Sequence, residues 1–162
     1  MKIIVRKIKE SEVATDALIL PLCEGDGAGP YAWLDPLLKR RISGVISSGE
    51  FQGKKNQFTL IHSMDTIKPK RIALIGLGKK GEVTLESLRQ AGGKAISSLH
   101  GLGLQDVSLS SASLISLKQS PVPLIEGGLL SLYSFRKYGK AKDTPNPLKS
   151  ITVLVQQGKA LD

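Results

Sequence analysis

The sequence is poor in the residues that most often carry chemistry. Among its 162 residues there are one cysteine and two histidines. The lone Cys23 excludes an internal disulfide, in keeping with a reducing compartment. His62 and His100 have no cysteine or second histidine at ligand spacing, so no metal site is readable. Aromatics make up 4% of the chain, and the core must therefore rest on Leu, Ile, Val and Ala. Single-strand nucleic-acid binders interleave aromatics with cations for stacking; here such interleaving is confined to Tyr133–Tyr138. No apolar run approaches the roughly 18–20 residues of a membrane span. The N-terminal Met-Lys-Ile-Ile-Val-Arg-Lys-Ile-Lys interrupts its apolar positions with charge. That is a first strand and not a signal peptide, and it predicts a cytoplasmic protein without membrane contact. A Gly-x-Ser-x-Gly nucleophile motif and paired carboxylates poised for acid–base work are missing too. From these residues no catalytic, cofactor-binding or metal-ligating position is assigned.

What the chain does have is size and positive charge. Its length suits one domain with a real core, and 41% hydrophobic with 23% charged residues is ordinary for a globular protein. The formal net charge is +9. The basic residues fall into small groups, among them Lys2, Arg6, Lys7 and Lys9, then Lys54 and Lys55, Lys68, Lys70 and Arg71, and Arg136, Lys137, Lys140 and Lys142. Lys39, Arg40 and Arg41, on a predicted helix, and Lys79 and Lys80, in a glycine turn, are the candidate contacts to nucleic acid. Several such groups on one face would attract a polyanion through counterion release. A solvated basic surface accounts for the same residues.

Apolar periodicity sets out alternating strands and helices. Ile3, Ile4, Val5 and Ile8 mark a first strand. Ala17 to Leu22 is a nearly continuous apolar run that reads as a buried strand ending at Pro21. Glu24 to Pro30 is a glycine-rich loop, whose Glu24 and Asp26 would repel a phosphate. Asp35-Pro36 reads as N-cap and first residue of a helix that carries Leu38, Ile42, Val45 and Ile46 and ends at Gly49. Phe58, Leu60 and Ile61 make a third strand and Arg71 to Leu77 a fourth; the short link between them predicts an antiparallel pair. A helix from Thr84 carries Leu85, Leu88, Ala95, Ile96 and Leu99 and stops at Gly101 and Gly103. Val107 to Leu109 is a fifth strand, and residues 114–119 fit neither period. Pro121 or Pro123 opens a last helix with Leu124, Ile125, Leu129, Leu132 and Phe135. Lys142 to Pro147 is a loop, and Ile151 to Val155 a final strand. The pattern predicts an α/β protein with helices on both faces of a mixed, largely parallel sheet.

Gly76-x-Gly78-x-x-Gly81 follows an apolar strand and matches the spacing of a dinucleotide fingerprint. Two features oppose that reading. The helix starts at Thr84 and not directly after the glycines, and the acidic residue wanted near the end of the next strand is not there, since Asp106 precedes that strand. A tight strand-to-helix turn explains the glycines without a ligand.

Several segments together resemble a known family. Gly49-Glu-Phe-Gln-Gly-Lys54 leads into the strand Phe58 to His62; Arg71-Ile-Ala-Leu-Ile-Gly-Leu-Gly-Lys79 follows, then Leu132-Tyr-Ser-Phe-Arg-Lys-Tyr138 and the strand Leu148 to Val155. In their order they are similar to the N-terminal domain of the leucyl (cytosol) aminopeptidases, over nearly the whole chain. The resemblance implies a three-layer α/β/α, macro-domain-like fold. It implies a non-catalytic assembly or regulatory domain over residues 1–157, with 158–162 beginning a linker to a separate catalytic domain. Two divalent ions, Zn or Mn, would belong to that other domain, whose Asn-Thr-Asp-Ala/Gly-Glu-Gly-Arg-Leu signature does not occur here. The implied partners are the parent's own catalytic domain and the other subunits of a homo-hexamer. Some bacterial members bind DNA. A macro-like fold also raises nucleotide or ADP-ribose binding, although no Asn-x-Ala-Asn motif is present.

Overall fold

The computed structural model describes residues 1–138 and 147–155. Six strands form one sheet: β1 (Lys2–Arg6), β2 (Ala17–Leu22), β3 (Phe58–His62), β4 (Arg71–Gly76), β5 (Asp106–Ser110) and β6 (Ser150–Leu154). Their spatial order is β1-β6-β5-β2-β4-β3. All neighbours run parallel except β3, which pairs antiparallel with β4 from Phe58 opposite Ile75 to His62 opposite Arg71. The short β3–β4 link sets that reversal, since a parallel return would need a crossover.

β2 and β4 are central, and their apolar runs are buried on both faces, as parallel strands require. Alternate residues divide the core in two. Ala17, Ile19, Ala73 and Ile75 face α2 (Leu85–Gly101) and α4 (Val122–Tyr138). Leu18, Leu20, Ile72 and Leu74 face Tyr31, Leu34, Leu38, Ile42 and Phe51, which come from 3₁₀ turns at Gly29–Tyr31 and Pro36–Leu38 and from the short α1 (Arg41–Ser47). Both faces are thus covered, in the three layers expected. The strand β2 runs through Pro21 to Leu22 and does not end at the proline. The β5 ladder stops at Ile19, so the missing N–H of Pro21 interrupts nothing on that side. At the edge, β1 is exposed throughout, with Ile3 and Val5 open to solvent.

Helix α2 starts where its cap demands. Ser87 N donates to Thr84 Oγ1 at 3.0 Å and Thr84 N donates to Ser87 Oγ at 2.8 Å, a reciprocal capping box. Its buried face carries Leu88, Ala91, Gly92, Ala95, Ile96 and Leu99; Leu85, expected on that stripe, is exposed. The segment 114–119, which fits neither period, begins inside α3 (Ala112–Ser116) and continues beyond its end. The side chain of Phe135, the segment 139–146 and the stretch 156–162, including the expected linker, lie outside what can be described.

The expected helix from Pro36 is a correction. Pro36–Leu38 is a single 3₁₀ turn, and Lys39 and Arg40 follow with φ of 54° and 59°. This left-handed pair breaks the chain before α1 begins at Arg41. Asp35 caps nonetheless. Its Oδ1 accepts from Ile42 N at 3.0 Å and Ser43 N at 3.2 Å, so it serves the second helix and not the one it precedes. Leu38 and Ile42 are both fully buried, which is why their spacing imitates one continuous helix.

Candidate functional site

In open parallel sheets ligands collect at the carboxyl ends of the strands, where the connections diverge to opposite sides. Here that point lies between β2 and β5: β4 lies on one side of β2, and β5 and β6 on the other. A crevice of about 360 Å³ opens there, lined by Cys23, Asp26, Gly29, Lys80, Ser113 and Leu117 among others. Across it Lys80 Nζ stands 3.0 Å from Asp26 Oδ1. Cys23 is buried at the end of β2. Burial, reinforced by the Asp26 carboxylate and only partly offset by Lys80, raises its thiol above the ordinary value. A thiol held protonated is a weak nucleophile. Beside the crevice Tyr31 is fully buried with its hydroxyl 3.2 Å from Ser113 Oγ. Burial pushes its phenol up to about 12 against the hydrogen bonds of Ser110 and Ser113. Ser110 Oγ in turn donates to Glu10 Oε1 at 2.8 Å.

The glycine motif is engaged in backbone packing. At the start of α2 the capping box takes up the N–H groups of Thr84 and Ser87, two of the donors that a pyrophosphate would otherwise meet. A side-chain carbon on Gly76 would collide with the carbonyl oxygen of Lys54. Gly78 N donates to Gly53 O at 2.9 Å, and Glu24 N donates to Gly78 O at 3.0 Å. The glycines therefore serve to bring three backbone segments together. Asp106 is the first residue of β5 and accepts from Ser150 Oγ at 2.7 Å. It lies at the amino end of the sheet, away from the glycine turn.

The basic candidates separate in space. Arg41 Nη1 donates to the carbonyl of His62 at 2.6 Å, and His62 is registered with Arg71 at the start of β4. Lys79 and Lys80 follow the other end of β4, roughly 20 Å away at about 3.3 Å per residue. Lys39 and Arg40 precede Arg41 in the left-handed break and do not share a helix face with it. Lys80 is engaged by Asp26. Among the described residues no group of three or more His, Cys, Asp or Glu could hold a metal ion, and no helix is long and apolar enough to cross a membrane.

With this geometry in hand, the comparisons with known proteins agree in direction. Residues 19–142 match the model of the cytosol aminopeptidase family, N-terminal domain. A "Probable cytosol aminopeptidase" of Geobacter sulfurreducens is 32% identical over 128 residues, which cover 78% of this chain and 26% of that protein. A tomato leucine aminopeptidase mutant superposes with a TM-score of 0.74 at 18% identity, covering 99% of this chain and 33% of the other. The macrodomain of Mycobacterium tuberculosis DarG gives a TM-score of 0.62 at 14% identity, covering 95% of this chain and 98% of the other. The chain spans about a third or less of the length of the curated relatives it matches. The structural likenesses establish a shared macrodomain-like α/β fold. The chain belongs to the cytosol aminopeptidase family, through that family's N-terminal domain.

Proposed function

We propose that this chain is the non-catalytic N-terminal domain of a metal-dependent leucyl aminopeptidase, an enzyme that removes N-terminal amino acids from peptides. Its role there is assembly and regulation. The observation that carries the reading is the match of residues 19–142 to that family's N-terminal domain. The relatives' additional length leaves room for a separate catalytic domain. The two divalent ions that the family implies find no clustered donor set among the described residues, so no step of peptide hydrolysis is derived for this chain. Its partners would be the parent's catalytic domain and the other subunits of a homo-hexamer, in the cytosol that the relatives' names record.

The other readings have weaker support. A nucleic-acid module would use Lys39, Arg40 and Arg41 together with Lys79 and Lys80, and these lie at opposite ends of β4. The macrodomain likeness, which includes Trypanosoma brucei macrodomains in complex with ADP and ADP-ribose, is a likeness of fold and does not carry a ligand across.

The test compares the 162-residue chain with the product of the same reading frame extended beyond codon 162. The short chain should release no p-nitroaniline from leucyl-p-nitroanilide with Mn²⁺ or Zn²⁺. The longer protein should do so and should behave as a large oligomer in light scattering. Metal-dependent turnover by the short chain that survives repurification would overturn the proposal, and so would a stop codon after Asp162.

A further inference from the structure

A second opening interrupts the carboxyl rim of the sheet, above the ends of β1 and β6. It is a cavity of about 450 Å³ between the loop that follows β1, residue Val155 and the loop carrying Trp33. Its polar lining is Lys7, Lys9, Glu10 and Glu12, and its apolar wall is Ile8, Trp33 and Val155. The volume lies within the range of small-molecule sites.

Three observations indicate what it would hold. Glu10 is only 8% exposed, yet its single hydrogen bond among the described residues is the one that Ser110 Oγ donates to Oε1. A carboxylate accepts several donors, and Glu10 lines the cavity, so Oε2 has capacity for a cation or N–H donor entering it. Secondly, none of Lys7, Lys9, Glu10 and Glu12 forms an ion pair among the described residues. Charges of both signs, without an ion-pair partner among the described residues, therefore surround one opening. Thirdly, Trp33 is 45% exposed at that opening, a large amphipathic ring with a face available for an apolar group.

We propose that this cavity binds a zwitterionic α-amino acid with an apolar side chain. The α-ammonium meets Glu10, with Glu12 beside it, the carboxylate meets Lys7 and Lys9, and the side chain lies against Trp33, Ile8 and Val155. A nucleotide would suit the tryptophan and the lysines, but its phosphates would face two carboxylates. The inference rests on the aminopeptidase reading for the source of its ligand: a free amino acid is the product of such an enzyme, and a product site on a domain that does not cleave peptides makes that domain a sensor of product.

Trp33 is the sole tryptophan of the chain, so its fluorescence reports this site directly. Leucine titrated into the 162-residue chain should give a saturable change. Leucinamide, which lacks the carboxylate, and N-acetyl-leucine, which lacks the ammonium, should each bind at least about tenfold more weakly. The double variant Lys7→Glu, Lys9→Glu alters only exposed side chains; it should fold normally by circular dichroism and weaken leucine while sparing leucinamide. Glu10→Gln should abolish the response, and because Glu10 is buried the lysine variant is the one that decides. No saturable change up to about 20 mM leucine, equal binding of N-acetyl-leucine, tighter binding of AMP, or an unchanged response in the lysine variant would each overturn the proposal. None of these results bears on turnover by the longer protein, so failure of this site and failure of the aminopeptidase reading are told apart.

Discussion

Gly76, the last residue of β4, packs so closely on the backbone of Lys54 that no side chain fits between them. A Cβ at Gly76 would strike the Lys54 carbonyl oxygen. The contact joins the two most recognisable segments of the chain, the Gly49–Lys54 turn and the strand ending Gly76-Leu-Gly78. Gly53, within the same turn, has φ of +77°, and a Cβ there would stand 2.6 Å from the Cys23 carbonyl oxygen. This packing accounts for glycine at these positions. Gly76→Ala should destabilise the fold by about 2–3 kcal/mol, because backbone and not a flexible side chain must move. Gly81 has nothing within 4 Å of its would-be Cβ, and Gly81→Ala should fall within about 0.5 kcal/mol of the parent. Urea denaturation of both variants tests the contrast; a true dinucleotide motif would need the third glycine as well.

The pairing of α2 with α4 makes a similar demand. A Cβ on Gly92 would overlap the Leu124 carbonyl, and one on Gly127 the Arg89 carbonyl, while Gly128 would meet Ile96 Cγ1 at 2.6 Å. Alanine at Gly92 or Gly127 should force the helices apart and cost about 2 kcal/mol or more. Gly101, at the end of α2 with nothing nearby, is the control that tolerates alanine. Equal thermal shifts for Gly92→Ala and Gly101→Ala would contradict the packing.

Tyr31 makes stability depend on alkaline pH. Burial raises its phenol from 10 to about 12 in the folded protein. The folded chain therefore holds this proton where the unfolded chain has lost it. Its contribution is fully present below pH 10 and is lost as pH rises through about 12. Two units correspond to about 2–3 kcal/mol. Unfolding free energies measured from pH 9 to 12 should fall more steeply for the parent than for Tyr31→Phe; parallel slopes would count against it.

NAD and FAD should leave the melting temperature unchanged at millimolar concentration. At the start of α2 Thr84 N and Ser87 N already have partners, and Asp106 lies at the wrong end of its strand. Saturable binding would show as stabilisation, about 2.7 kcal/mol at a hundredfold excess over Kd. A clear, saturable shift with either cofactor would restore the dinucleotide reading.

Binding to duplex DNA should be weak at about 150 mM salt, indifferent to sequence, and should vanish as salt rises. Arg41 donates to the His62 carbonyl and Lys80 pairs with Asp26, and the two groups stand at opposite ends of β4. Anisotropy titrations with Lys39→Glu and Arg40→Glu provide the check. Tight, sequence-selective binding lost in these variants would make DNA the partner.

The sequence by itself determined the elements whose burial is symmetric or strictly periodic. β2 and β4 are legible because a strand packed on both faces must be apolar at every position. α2 is legible because Thr84 caps it and Leu88, Ala95 and Leu99 recur at helical spacing. The β3–β4 reversal follows from the length of its link. The order of the family-like segments survives for the same local reasons. Only the tertiary structure decided what depends on contacts between distant segments. Lys39 and Arg40 leave the helical region while Leu38 and Ile42 keep helical spacing, since the core constrains where those side chains arrive and not the path between them. The role of Gly76 lies in the carbonyl of Lys54, and that of Gly92 in the carbonyl of Leu124, which no local pattern records. Glu10 meets Ser110 across a hundred residues of chain, and Trp33 lines one cavity with the lysines after β1 because the strands they follow end on the same rim. Periodicity reports whether a residue faces the core; which residues it meets there is set by the packing of one layer on another.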